Sequence, residues 1–160
     1  MRRLLWKIFR GSSRRHLFNF FPAFRGTGGR VTFVSADFRE LRVALPLNWR
    51  TRNYVGTIFG GSLYAAVDPF YMIMLIEILG PEYVVWDKSA SIRFRRPGRS
   101  TLHATFRVPP EDTDAIRKAL ETAPSIDHVY TVELVDAAGI PHATVEKTIY
   151  VRRKDVGRGT

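Results

Sequence analysis

Residues 61–79 hold the feature that most constrains the fold. Leu63, Tyr64, Val67, Phe70, Tyr71, Met72, Ile73, Met74, Leu75, Ile76, Ile78 and Leu79 put apolar side chains on every side of a helix. A helix without a polar face is covered all round. The chain has 160 residues, enough for one domain with one core. Complete cover therefore requires a sheet curled round the helix, or a sheet and a partner subunit. Gly60-Gly61 opens the helix, and Gly80 followed by Pro81 is a stop signal. The longest apolar run, residues 65–79, contains Asp68, Pro69 and Glu77, so no uninterrupted run reaches a membrane-spanning length.

The sheet comes from segments in which apolar and polar residues alternate. Residues 31–34 and 41–45 read as the first two strands, with Pro46 closing the second. Residues 83–95, 101–108, 128–136 and 141–152 follow, the last two joined through Ala137-Ala138-Gly139 as a hairpin. Residues 110–122 read as a short amphipathic helix with acids first and Arg117 and Lys118 later, the order that suits the helix dipole. The class is α+β.

The net charge of +10 is unevenly placed. Residues 1–30 carry eight Lys or Arg and no acid, and the rest is nearly balanced, with 17 basic residues against 15 acidic. A nucleic-acid binder would spread its basic residues over a folded face with aromatics between them, so nucleic acid is not the expected partner. The acid-free N-terminal segment fits a mitochondrial presequence or a helix lying on a membrane surface. The preferred reading is a terminal helix that packs Leu17, Phe18, Phe20 and Phe21 on the domain. The expected organisation is a basic, aromatic segment over 1–29, a domain over 30–153 and a frayed tail over 154–160. A cytoplasmic location is expected, with membrane-surface contact or organelle targeting through the N-terminus as the alternative. The absence of cysteine excludes disulfides and thiolate chemistry. His16, His103, His128 and His142 have no ligand spacing, so no metal site is expected.

Chemistry concentrates around the start of the apolar helix. Its first turn offers free backbone N–H groups, and Gly60 and Gly61 let a ligand oxygen approach them closely. Asp68 lies about two turns beyond Gly61, on a similar side. A carboxylate in so apolar a helix is costly unless it is paired, hydrogen-bonded or facing a pocket. Pro69 frees the carbonyl of Ala65 and is expected to kink the helix beside that carboxylate. Asp68 is thus either a reactive acid or a structural one held by a buried cation. Lys88 is the candidate cation. Period-two alternation puts it on the same face as Trp86, Ala90, Ile92 and Phe94, toward the helix. Asn53 reads equally as a turn residue and as a site residue.

Taken together, Asn53, Gly56, Phe59-Gly60-Gly61, Asp68-Pro69-Phe70, Trp86-Asp87-Lys88 and the segment from Ile92 to Pro97 resemble the hotdog-fold thioesterase superfamily. The likeness is strongest to a branch known only as a domain of unknown function. The resemblance implies an antiparallel sheet wrapped around one long central helix, and a homodimer or a tetramer with sites at the subunit interface. It implies hydrolysis or binding of an acyl thioester of coenzyme A or of an acyl carrier protein, with no further cofactor. Asp68 would be nucleophile or general base, Gly61 N–H the donor to the thioester carbonyl, and Asn53 a third member of the site. Phe59, Gly60, Tyr64, Phe70 and Lys88 would contact substrate, and Arg95 and Arg96 would receive phosphates of coenzyme A. The chain departs from the His-Gly-Gly common in such relatives: Phe59 has no hydrogen bond to offer. Two alternatives stay open, a non-catalytic acyl-chain or acyl-CoA binding protein and a membrane-peripheral protein.

Overall fold

The computed structural model describes residues 14–154. The basic positions before Arg14, and with them the readings of that segment as a presequence or surface helix, lie outside the described residues.

Six strands form one antiparallel sheet. They are β1 (Arg30–Val34), β2 (Glu40–Leu45), β3 (Tyr83–Phe94), β4 (Leu102–Arg107), β5 (Ile126–Val135) and β6 (Pro141–Arg153), in the order β1-β2-β4-β5-β6-β3. Strand alternation turns one face inward: Leu41, Val43 and Leu45 of β2, Leu102, Ala104 and Phe106 of β4, and Val132 and Leu134 of β5 are buried. Burying each of the larger of these side chains stabilises the fold by roughly 1.5–3 kcal/mol.

The apolar helix crosses this face in two pieces, α3 (Gly60–Ala65) and α4 (Phe70–Leu79). Their separation follows from Pro69. It has no N–H to give Ala65, and the ladder tightens so that Val67 N and Asp68 N both donate to the Tyr64 carbonyl at 3.0 Å. The helix is thus interrupted beside Asp68, where the kink is expected. Counted from Gly60 to Leu79, the stretch is 20 residues and long and apolar enough to cross a membrane by composition, which corrects the shorter count above. In this fold it lies in the core: Leu63, Val67, Phe70, Met74 and Leu75 are buried. Cover is incomplete on one side, where Met72, Ile73 and Ile76 are only partly buried.

Two short helices, α1 (Arg14–Phe20) and α2 (Pro22–Gly26), precede β1. Phe18 and Phe24 pack edge-on against Phe70 at 5.7 and 5.1 Å between ring centroids. Of the residues expected to pack, Phe18 does so, joined by Phe24. Phe20 and Phe21 stay exposed. The remaining helix, α5 (Pro110–Ala119), buries Ile116 on the domain.

Candidate active site

The site is built where α3 meets β6 and β3. Tyr64 and Asp68 are four residues apart, so they stack on one side of the helix. The Tyr64 hydroxyl donates to Asp68 Oδ1 at 2.6 Å. The same oxygen accepts from Lys147 Nζ at 2.6 Å. Oδ2 receives no hydrogen bond from any described residue, and 42% of the Asp68 side chain is open. One oxygen is thus fixed by two donors while the other has none among the described residues.

Lys147 is the buried cation, and Lys88 is not. On β6 the alternation runs Ala143, Val145, Lys147, Ile149, Val151, all buried, with Lys147 only 1% exposed among apolar neighbours. Its second contact is one of charge. Asp87 Oδ1 lies 3.0 Å from Nζ and is out of line for a hydrogen bond. Burial works against the ammonium, but the hydrogen bond to Asp68 and the contact with Asp87 outweigh it and raise Lys147 above the ordinary lysine range. Burial likewise pushes the Asp87 carboxyl up, with Lys147 acting in the opposite direction. Tyr64 is raised by burial and then by the carboxylate it donates to.

A β-bulge corrects the face assigned to Lys88. The β3–β6 register passes from Asp87↔Ile149 to Ser89↔Thr148, leaving Lys88 as the extra residue. Before the bulge Val85 and Asp87 oppose inward-facing Val151 and Ile149. After it Ala90, Ile92 and Phe94 oppose Lys147, Val145 and Ala143. The period-two reading is right for the second half of the strand and inverted for the first. Lys88 points away and pairs with Asp127 at the surface.

A groove of about 340 Å³ at the N-terminal end of α3 is lined by Asn53, Gly60, Leu63, Phe94, Arg95 and Arg96, and none of Tyr64, Asp68, Asp87 and Lys147 lines it. Phe59 caps α3 at its N-terminal end, with its ring against Gly61. A Cβ built on Gly61 would lie 2.3 Å from that ring, so glycine permits the contact. Arg95 Nε donates to Thr144 Oγ1 at 2.8 Å and an Arg96 Nη to the Pro141 carbonyl at 3.2 Å, each leaving further donors open. His142 bridges the Pro97 carbonyl and Asp136 at 3.0 and 3.1 Å, tying this strand end to the β5–β6 hairpin.

Two expected site residues have other work. Asn53 Oδ1 accepts from Val55 N and Thr57 N, and its Nδ2 donates to Thr57 Oγ1, so Asn53 closes its own loop as a turn residue. The left-handed position in that loop belongs to Gly56, at φ 82°. Phe70 is fully buried against Phe18, Phe24 and Phe106 and is not among the residues that line the groove. Among the described residues, no three His, Asp or Glu side chains are grouped so as to hold a metal ion.

The family described as "Domain of unknown function (DUF4442)" matches residues 13–151. Among solved structures, a protein of unknown function from Pseudomonas aeruginosa, described as a probable thioesterase, superposes with a TM-score of 0.76. It is 19% identical over 88% of this chain and 93% of that one. A thioesterase from Haemophilus influenzae superposes at 0.65, with 13% identity over 94% and 96% of the two chains. The PaaI protein of the phenylacetic acid degradation operon of E. coli gives 0.60, with 16% identity over 88% and 90%. These likenesses show the fold, the hotdog arrangement of an antiparallel sheet around a central helix. No curated protein matches the chain in sequence.

Proposed function

The chain belongs to the DUF4442 family, a domain of unknown function, and on that premise we propose that it hydrolyses an acyl thioester of coenzyme A or an acyl carrier protein. The observation that carries this reading is the state of Asp68. Its Oδ1 is held by Tyr64 and Lys147, while Oδ2 accepts no hydrogen bond from any described residue and the side chain is 42% exposed. A carboxylate fixed by one oxygen and free at the other is a base with a defined direction. The likeness to thioesterases of the same fold supports the substrate class.

In this reading, water gives a proton to Asp68 Oδ2 as its oxygen bonds to the thioester carbonyl carbon. Gly61 and Asp68 of one chain lie about 10 Å apart along the helix, so in this reading the N–H of Gly61 of the partner subunit in the homodimer accommodates the negative charge that develops on the carbonyl oxygen. The carbon–sulfur bond then breaks, the thiolate leaves, and the proton held by Asp68 passes to it, giving a carboxylic acid and a thiol. Direct attack by Oδ2 on the same carbon is the nucleophilic form of the same assignment. Leu63 and Phe94 offer the groove its apolar wall, and the open donors of Arg95 and Arg96 suit phosphate. The working form in this proposal is a homodimer, supported by the unpaired outer edge of β3 and by exposed Trp86 and Phe94 on that strand. A sedimentation mass near 18.3 kDa at micromolar concentration would count against the dimer.

Hydrolysis is tested by a screen of acyl-CoA esters across chain lengths, with Asp68→Asn beside the wild type. The variant keeps the size of the side chain but has no base, so turnover should fall about 10²–10⁴-fold with ligand affinity retained. Full activity in a folded Asp68→Asn protein overturns the assignment. A second reading, acyl-thioester binding without hydrolysis, is favoured by Phe59 where relatives have His. It predicts tight binding and no turnover in the wild type.

A further inference from the structure

We propose that Asp87 is a positioning residue that keeps the Lys147 ammonium neutralised when Asp68 gives up its charge. The inference rests on the role of Asp68 proposed above. As a base, Asp68 alternates between carboxylate and neutral carboxyl. Each time it becomes neutral, a lysine with only 1% of its side chain exposed loses the partner to which it is hydrogen-bonded. A buried ammonium without a carboxylate is strongly disfavoured. With Lys147 and Asp68 alone, the cluster would pass from neutral to a net positive charge during turnover, opposing the proton uptake that the reaction needs.

Asp87 changes that outcome. Its Oδ1 already lies 3.0 Å from Nζ, and that buried oxygen has no hydrogen-bond partner. Two carboxylates and one ammonium carry a net charge of −1, and proton uptake on Asp68 brings the cluster to zero. The backbone is shaped to supply this second acid. The bulge at Lys88 turns Asp87 inward, where regular alternation from Ala90, Ile92 and Phe94 would have turned it out. The groups that face the cluster from each element are Tyr64 and Asp68 of the interrupted helix, Asp87 of β3 and Lys147 of β6. Tyr130 of β5 stands opposite Lys147, with its hydroxyl toward Asp112. Lys147 is the one cation among them.

The test reads Lys147 directly in the full-length protein. Its side-chain NMR signals are titrated in the wild type, in Asp68→Asn, which represents the spent state, and in Asp68→Asn/Asp87→Asn. Asp87 should hold the ammonium charged through pH 9 in the single variant. In the double variant the titration should drop by more than about one pH unit, as for a buried lysine without a counter-charge. A drop of the same size in Asp68→Asn alone overturns the proposal, and that single variant decides the matter if the double one does not fold. The kinetic arm uses Asp87→Asn. Its kcat should fall at least about tenfold with KM within about twofold, and Asp87→Glu should restore most of it. A merely structural Asp87 would lower the folded fraction and leave kcat per folded molecule unchanged, which also overturns the proposal. If the wild type hydrolyses no thioester, the functional reading fails, and the lysine titration still decides the role of Asp87.

Discussion

Lys147 and Lys88 stand on the same sheet and are both held by carboxylates, and the contrast between them separates structure from chemistry. Lys88 meets Asp127 with 55% of its side chain exposed, whereas Lys147 is 1% exposed between Asp68 and Asp87. At the surface, screening and side-chain entropy cancel most of the attraction, so such a pair contributes about 0–1 kcal/mol. In the interior, desolvation costs several kcal/mol per ion, and the attraction does little more than offset it. A buried pair is therefore a poor means of adding stability. Its presence on an otherwise apolar strand face is better explained by a use for the charge of Asp68.

The largest effect should come from breaking the buried cluster on its cationic side. Lys147→Ala leaves two carboxylates near each other with no counter-charge and opens a space in the core. Its stability should fall by about 3–5 kcal/mol in denaturant unfolding. The triple change Lys147→Met, Asp68→Asn, Asp87→Asn should recover most of that loss, because an apolar side chain of similar volume removes the need for a partner. A Lys147→Ala protein as stable as the wild type would place the two lysines in one class.

An alkaline titration sharpens the contrast next. The Lys147 value is raised in the folded state, so the stability it contributes is whole below the unfolded lysine value of 10.5. That contribution is lost as pH rises through the folded value. Tyr64, and Tyr71 at about 12, are also raised and act with the same sign. The wild-type curve alone therefore does not isolate the lysine, and the difference from Lys147→Met does. Unfolding free energies of the two proteins should converge as pH climbs above 10.5, after allowance for a constant packing offset. Parallel curves would mean that the Lys147 charge contributes nothing.

Much of this architecture was legible from residue patterns. The strands, the apolar helix and the interruption at Pro69 follow from alternation, from an all-round apolar run and from the missing N–H of proline. The cost of Asp68 left two readings open, a reactive acid or one held by a buried cation, and a buried cation, Lys147, is present. The choice of Lys88 went wrong because period-two reading assumes an unbroken strand, and Trp86-Asp87-Lys88-Ser89 has no glycine or proline to announce a bulge. A signal for Lys147 was present: in Ala143, Val145, Lys147, Ile149, Val151 it is the one charged member of an apolar face. Phe70 and Asn53 were harder. An apolar residue on such a helix fits core and groove alike, and the folded structure turned Phe70 to the core. The Asn53 side chain is spent on its own loop through contacts with Val55 and Thr57.

The smallest effect is expected at the surface pair. Lys88→Met removes a charge whose side chain is more than half in water and whose partner, Asp127, is 39% exposed. Asp127 can be resolvated once the ammonium is gone, so no buried charge is stranded, and stability should change by less than about 1 kcal/mol. The bulge gives a second reason for tolerance: the extra residue points away from the core, and a methionine there displaces no packed side chain. Salt provides an internal check. The small difference between Lys88→Met and the wild type should shrink as ionic strength rises, since exposed charges are screened within about 10 Å at 0.1 M salt. Most of the deficit of Lys147→Ala should persist, because the space opened in the core does not respond to ionic strength and Asp87, at 26% exposed, is less open to solvent than Asp127. A loss of several kcal/mol on Lys88→Met, insensitive to salt, would return Lys88 to the interior and undo the register that places Asp87 beside Lys147.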